Sequence, residues 1–143
     1  MSSQSLLVQG AGSWGTALAM VLSRNCYQIY LWDTNLDTIK AIRSNRCNER
    51  YLPGQKIPEN IIPIESIEEV PDTINKVICA VPSHAVRSSL NLLKSMPINS
   101  ICIATKGFEP NTQNLNHVVA EEVLSNSSIT VLSGPSFAIE VAA

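Results

Sequence analysis

Residues 5–15, SLLVQGAGSWG, decide the fold of this chain. The first five form an apolar run typical of a short buried strand, and residues 10–15 match the pattern G-x-G-x-x-G. Residues 13–24 then predict a helix, because their apolar side chains recur at helical spacing. The glycine pattern is informative because it follows a predicted strand and opens a predicted helix.

Each glycine of the pattern is expected to have a different structural role. Gly10 allows the tight turn, Gly12 lets backbone N–H groups approach a diphosphate, and Gly15 lets the helix pack close to the sheet. The N-terminus of the helix adds partial positive charge that favours an anion. A glycine-rich turn without a ligand is the alternative, but the spacing and the context together favour a dinucleotide site.

Asp33 follows a second apolar run, residues 27–32, at about the distance from the first glycine at which an acid binds the adenosine ribose. A carboxylate there accepts hydrogen bonds from the 2′-hydroxyl and repels a 2′-phosphate. Thr34 follows where an arginine would favour that phosphate, so we expect NAD rather than NADP as the cofactor. NADP stays possible because Lys40 is near, and Asp33 has the alternative role of a turn or helix-cap residue.

The rest of the chain alternates predicted strands and helices. Strands are expected at residues 76–81, 100–105 and 129–132, and helices at residues 36–43, 86–93, 115–123 and from Pro135, with Ser83 capping the second of these. Residues 45–63 are rich in proline and predict a loop, followed by a weak strand at 61–64. Nearly continuous apolar strands between helices predict a Rossmann-type, doubly wound α/β fold with a mostly parallel sheet and helices on both faces.

The carboxyl ends of parallel strands are where such folds bind ligands, and three groups of residues lie at predicted ends. Lys106 is placed to meet an anion, although a solvated surface lysine is the alternative. Residues 133–136, SGPS, predict a second helix start suited to an anion, with Pro135 in the first helical position, or else an ordinary turn. His84 is expected to begin a helix rather than to contact a ligand.

Composition excludes several classes of protein. The chain has 143 residues, 45% of them apolar, and a net charge of −2, so neither nucleic acid nor an anionic membrane is an expected partner. The four cysteines have no metal-ligand spacing and predict reduced thiols, mostly buried, with no metal site. The N-terminus has no basic targeting region, which predicts a cytoplasmic protein.

Several stretches together are similar to a known family. They are residues 10–19 (GAGSWGTALA), 31–32 (LW), 46–48 (RCN), 51–53 (YLP), 81–84 (VPSH), 104–107 (ATKG) and 133–138 (SGPSFA). In this order they resemble the N-terminal domain of bacterial NAD(P)-dependent glycerol-3-phosphate dehydrogenase.

The resemblance implies interconversion of dihydroxyacetone phosphate and sn-glycerol 3-phosphate by hydride transfer, feeding phospholipid synthesis. It implies that Ser13 and Trp14 contact the cofactor diphosphate and that Lys106 contacts both cofactor and substrate. The other implied contacts are Gly134 and Ser136 for substrate and Ala138 for cofactor. Thr34 stands where the family often has a basic cofactor contact, and this departure again favours NAD.

The family continues into an all-helical domain that carries the essential lysine and much of the contact of a homodimer. We therefore interpret residues 1–143 as the cofactor domain without that substrate domain, able to bind cofactor but not to turn over. No residue of the chain is assigned a catalytic role. A free-standing NAD-sensing regulatory module is the alternative, but such a module needs neither Lys106 nor a second anion-binding helix start.

Overall fold

The computed structural model describes residues 4–25 and 28–143 of the chain. The strands are β1 (Ser5–Gln9), β2 (Gln28–Trp32), β3 (Cys47–Asn48), β4 (Leu52–Lys56), β5 (Ile61–Ile64), β6 (Lys76–Cys79), β7 (Ser100–Ile103) and β8 (Ser128–Val131). The helices are α1 (Ser13–Ser23), α2 (Leu36–Asn45), α3 (Val86–Asn91), α4 (Asn116–Val123) and α5 (Ala138–Ala142), with one-turn 3₁₀ helices at Ile67–Glu69 and Ser83–Ala85. The start of the second predicted strand, at Tyr27, lies outside the described residues, as does Cys26.

Six strands form one sheet in the order β5-β2-β1-β6-β7-β8, and every neighbouring pair is parallel. The chain builds outward from β1 to one edge and then returns to build from β6 to the other edge. This is the doubly wound order, and its switch point lies between β1 and β6. The predicted α/β fold is confirmed.

The core lies on both faces of the sheet, because side chains alternate along each strand. Leu6 and Val8 on β1 belong to one cluster, which also includes residues of α1, α2 and α5. Leu7 between them belongs to the other cluster, with residues of α3 and α4. The apolar runs of the sequence are therefore buried on two sides, as parallel strands require.

The prediction of a loop over residues 45–63 was wrong in part. β3 and β4 pair antiparallel there as a separate two-stranded ribbon, while the weakly predicted β5 is confirmed. Pro53 and Gly54 lie within β4, and such residues are tolerated because a two-stranded ribbon has two open edges. Asn48 of the ribbon bonds to the first glycine loop, and Tyr51 lies in the cleft lining, so this sequence-distant segment contributes to the site.

Two predicted helix starts were also wrong. Ser83 does not cap α3, because it lies within a 3₁₀ turn that precedes that helix, and no side-chain cap bond forms. Pro135 does not open the last helix, since α5 begins only at Ala138, with Phe137 at the N-cap. The carbonyl of Gly134 accepts a hydrogen bond from the Lys106 ammonium at 3.0 Å, which holds this segment in an irregular path before the helix.

The last strand departs from the prediction of a sheet covered on both faces. β8 is an edge strand, and its side chains are exposed or half-buried. Val131 keeps 58% of its surface, and Phe137 and Ile139 just beyond are exposed to 72% and 56%. Large apolar side chains therefore remain exposed on this edge strand and in the segment that follows it.

Candidate functional site

A cleft of about 670 Å³ lies over the carboxyl ends of β2, β1, β6 and β7. Its lining comprises Gly10, Gly12, Ser13, Trp14, Asp33, Thr34, Asn35, Tyr51, residues 80–85, Ala104, Thr105, Lys106, Ser136, Phe137 and Ala138. The switch point of the sheet lies beneath its centre, which is where an open α/β sheet binds ligands. The cleft therefore has the location that the sequence predicts.

The three glycines of the first loop differ in what surrounds them. Gly10 has φ +105°, and a Cβ there would lie 2.6 Å from the carbonyl oxygen of Ala80. A Cβ on Gly15 would lie 1.8 Å from the carbonyl oxygen of Gly10, so the helix packs against the loop as closely as the backbone allows. A Cβ on Gly12 would meet no atom within 4 Å, although Gly12 lines the cleft. The space in front of Gly12 is thus open for a ligand.

The β3–β4 ribbon braces this loop from the outside. The buried amide of Asn48 donates to the carbonyl oxygen of Ala11 at 2.8 Å and to the hydroxyl of Thr16 at 2.9 Å. The Ser13 hydroxyl donates to the carbonyl oxygen of Tyr51 at 2.6 Å. The loop shape is fixed by these bonds before any ligand is present, and fixed donors bind with less entropy loss.

Asp33 has the structural role of a turn residue that the sequence left open, and it also lies in the cleft lining. One carboxylate oxygen accepts from the backbone N–H of Ala11 at 2.7 Å, and the other accepts from the N–H of Asn35 at 2.8 Å. The same side chain lines the cleft next to Thr34. A carboxylate offers about four acceptor positions, so Asp33 retains capacity for a hydroxyl ligand while it ties β2 to the glycine loop.

At the other end of the cleft, Trp14 and Lys106 form one group. The ammonium of Lys106 lies 5.6 Å from the centroid of the Trp14 ring, within the range of a cation–π contact. The indole N–H of Trp14 is buried and lacks a hydrogen-bond partner among the described residues. A buried donor without a partner is costly.

The structure brings most of the predicted site residues to this one cleft. Of the predicted set, Gly15 lies beneath the loop as a packing residue, and Gly134 contacts the cleft through its bond to Lys106. Tyr51 and Phe137 are lining residues that the sequence did not single out for the cleft. The signal available for them was that both lie in stretches that carry the family resemblance, residues 51–53 and 133–138. His84 lies in the lining as well, within the 3₁₀ turn.

The environment of Cys79 makes its thiol unreactive. Burial raises the pKa of the Cys79 thiol to about 11, so this side chain stays protonated and behaves as a small apolar residue. Cys47, Cys79 and Cys102 are free thiols, as predicted, but the predicted burial is wrong for Cys47 and Cys102, which are half-buried; only Cys79 of the three is buried. Among residues 4–25 and 28–143, no group of three or more metal-ligating side chains converges.

Comparison with known proteins places these features in a family. Residues 5–143 match the model described as the N-terminus of NAD-dependent glycerol-3-phosphate dehydrogenase. The chain belongs to this family. Its members include a glycerol-3-phosphate dehydrogenase [NAD(P)+] of Geobacillus thermodenitrificans, 38% identical over 96% of this chain, and one of Bartonella henselae, 39% identical over 99%.

A solved structure of a glycerol-3-phosphate dehydrogenase has the same fold as this chain. Glycerol-3-phosphate dehydrogenase of Coxiella burnetii superposes with a TM-score of 0.90 at 31% identity and covers 98% of this chain. The chain spans 41% and 43% of the two curated relatives and 43% of the Coxiella chain. Within the described part of the chain, no helix has the length and apolar character needed to cross a bilayer.

Proposed function

We propose that residues 1–143 form the cofactor domain of a glycerol-3-phosphate dehydrogenase and bind NAD(H) in the cleft over the strand ends. The observation that carries the proposal is the open space in front of Gly12, in a cleft bordered by a prebuilt glycine loop. A diphosphate fits this space, because it brings acceptor oxygens to a helix N-terminus.

The order of the strands suggests the direction of the cofactor. β2 carries Asp33 at its end, β1 carries the glycine loop, and β6 and β7 carry the turn at His84 and the loop at Lys106. An adenosine ribose on Asp33 and Thr34 puts the diphosphate at the glycine loop and the nicotinamide over β6 and β7.

The proposed contacts follow this order. For the cofactor they are Gly10, Gly12, Ser13, Trp14, Asp33, Thr34, Lys106 and Ala138, with Gly15 packing the loop; for the substrate they are Lys106, Gly134 and Ser136. The substrate part rests on the irregular 133–137 segment and the Lys106 ammonium rather than on a helix start. Its partial character is consistent with substrate groups supplied by a second, helical domain.

The proposed reaction is the reduction of dihydroxyacetone phosphate to sn-glycerol 3-phosphate and its reverse, supplying phospholipid synthesis in the cytoplasm. When bound, NADH supplies the hydride for the C2 carbonyl carbon, and a general acid of the helical domain gives a proton to the oxygen. Lys106 holds anionic substrate near the reacting carbon. We further propose that the whole enzyme is a homodimer.

The alternative of a free-standing nucleotide sensor has less support. Membership of the dehydrogenase family favours an enzyme domain. So does the ammonium of Lys106 at the nicotinamide end, because a sensor has no substrate to hold there.

Two assays on the 143-residue chain test the proposal. Titration with NADH, followed by energy transfer from tryptophan, should saturate at one molecule per chain. Dihydroxyacetone phosphate added with NADH should produce no loss of absorbance at enzymatic rates of about 1–10³ s⁻¹. A folded chain that leaves NADH unbound contradicts the cofactor role, and rapid turnover contradicts the need for a second domain.

A further inference from the structure

Glu109 is a nearly buried carboxylate outside the cleft. It lies three residues after Lys106 and keeps only 6% of its surface. The guanidinium of Arg87 donates to it from Nε at 2.6 Å and from Nη2 at 2.9 Å, and the hydroxyl of Thr112 donates to the same carboxylate. A buried carboxylate with paired, two-point bonding of this kind holds its geometry tightly.

The ion pair joins the two loops that line one end of the cleft. Arg87 is the second residue of α3, directly after the turn Ser83–Ala85, while Glu109 belongs to the loop that follows β7. A second bond links the same two loops closer to the sheet, since the Thr105 hydroxyl donates to the carbonyl oxygen of Val81 at 2.6 Å. The Lys106 backbone is therefore attached to the β6–α3 turn on both of its sides.

This attachment matters because the Lys106 side chain is long and flexible. Lysine presents a compact charge on a four-carbon stem, so the place of its ammonium depends on where the backbone begins. Gly107, the next residue, has φ +96°, and the Asn116 amide donates to the carbonyl oxygens of Thr105 and Gly107 at 3.3 and 3.1 Å. The ion pair of Glu109 is the next attachment along this loop. Glu109 is the first buried side chain after this glycine.

We propose that the Arg87–Glu109 ion pair is a positioning device for Lys106. It holds the loop after β7 against the turn after β6, so that the ammonium stays between the Trp14 ring and the Gly134 carbonyl, at the nicotinamide end of the cleft. The inference rests on the proposed function for its consequence in cofactor binding, and on geometry alone for the position of the ammonium.

The chain provides a matched control on the same arginine. Arg87 Nη2 also contacts Glu122 of α4 at 2.8 Å, and 46% of that glutamate side chain is exposed. Glu109→Gln and Glu122→Gln each remove one carboxylate charge from Arg87, but Glu109 lies within the Lys106 loop, whereas Glu122 lies on α4 and contacts that loop at Asn114, eight residues after Lys106. A general loss of ion pairing affects both variants, whereas a positioning role affects only the first.

The first measurement reports the position of the ammonium directly. Reductive ¹³C-methylation of lysines keeps their charge, and the Lys106 methyl signal, assigned with Lys106→Arg, is shifted by the nearby Trp14 ring. Glu109→Gln should move this signal toward the values of exposed lysines, and Glu122→Gln should leave it in place. An unmoved signal in Glu109→Gln, or equal movement in both variants, overturns the proposal.

The second measurement separates the two ends of the cleft. NADH occupies both ends, while ADP reaches only the ribose and diphosphate end. Glu109→Gln should raise the Kd for NADH by about tenfold and leave the Kd for ADP within about twofold. Equal weakening of both ligands means general destabilisation and contradicts the proposal, as does an unchanged Kd for NADH.

Two further outcomes also test the positioning role of the ion pair. If Glu109→Gln does not fold, Arg87→Lys takes its place, because it keeps the charge but loses the two-point geometry, and it should shift the Lys106 signal in the same direction by less. If the wild-type chain binds no NADH, the proposed function fails, while the methyl signal still tests the positioning role.

Discussion

The two ends of the cleft are built in different ways. At the glycine-loop end, Asp33 and Asn48 bind the backbone of Ala11 at 2.7 and 2.8 Å, and α1 packs onto the loop through Gly15. At the Lys106 end, the walls come from loops after β7 and β8, with Phe137 exposed to 72%. The first end is fixed by buried hydrogen bonds, and the second depends on an ion pair and a flexible lysine.

The difference shows which part of binding the chain supplies by itself. In the proposed binding mode, the prebuilt loop receives the adenosine and diphosphate groups without rearrangement, so this end should keep affinity when the other end is disturbed. The Lys106 end should respond to changes outside the cleft.

Gly15→Val should unfold the chain. Its Cβ would lie 1.8 Å from the carbonyl oxygen of Gly10, a backbone atom that has no room to move. The loss should reach or exceed the roughly 1–3 kcal/mol typical of overpacking, visible as a large fall in thermal midpoint by circular dichroism. A variant that melts like wild type would mean that helix and loop are not in close contact.

Gly12→Val should abolish NADH binding without unfolding the chain. The backbone at Gly12 has φ −74°, which any residue adopts, and the added side chain enters open space in the cleft. The Kd should rise by about a hundredfold or more, equivalent to about 2.7 kcal/mol, with an unchanged melting curve. Normal affinity in this variant would remove the loop from the binding site.

The sequence predicts the glycine-loop end well and the Lys106 end poorly, for a physical reason. Gly10 and Gly15 act through local backbone geometry, which a short pattern records. The path of residues 133–137 depends instead on a bond from Lys106, 28 residues earlier in the chain, and Pro135 alone pointed to the wrong helix start. Likewise, Asn48 of the β3–β4 ribbon makes a tertiary contact with the glycine loop. The prolines of this segment predicted a loop and so did not indicate the ribbon.

Thr34→Arg should change the preference between the two dinucleotides. The wild-type chain should bind NAD at least about tenfold more tightly than NADP, because Asp33 opposes the 2′-phosphate. The added guanidinium should strengthen NADP binding and leave NAD nearly unchanged, as measured by calorimetry with both oxidised cofactors. Equal or tighter NADP binding by the wild-type chain would contradict the assignment of Asp33.

The stability gained from Glu109 should depend on pH in the acidic range. Hydrogen bonds from Arg87 and Thr112 lower the pKa of the Glu109 carboxyl from about 4.5 to about 2. The carboxylate therefore stabilises the folded chain above pH 4.5, and this contribution is lost as the pH falls toward 2. The difference in thermal midpoint between wild type and Glu109→Gln should be constant from pH 7 to 5 and smaller at pH 3.

A constant difference down to pH 3 would show that Glu109 is not held as a carboxylate by Arg87. Glu122→Gln serves as the control, because exposed ion pairs contribute little. Its thermal midpoint should stay close to that of the wild type throughout the range.

In the proposed binding mode, one dinucleotide lies across the strand ends, with adenosine at Asp33 and nicotinamide at Lys106. The most direct test is a titration of the ¹⁵N-labelled chain with NAD and separately with AMP, followed by backbone amide shifts. NAD should move amides of residues 10–15, 33–35 and 105–107, whereas AMP should move residues 33–35 and leave 105–107 unchanged. If NAD leaves the glycine-loop amides in place, or if AMP moves those around Lys106, the proposed binding mode is wrong.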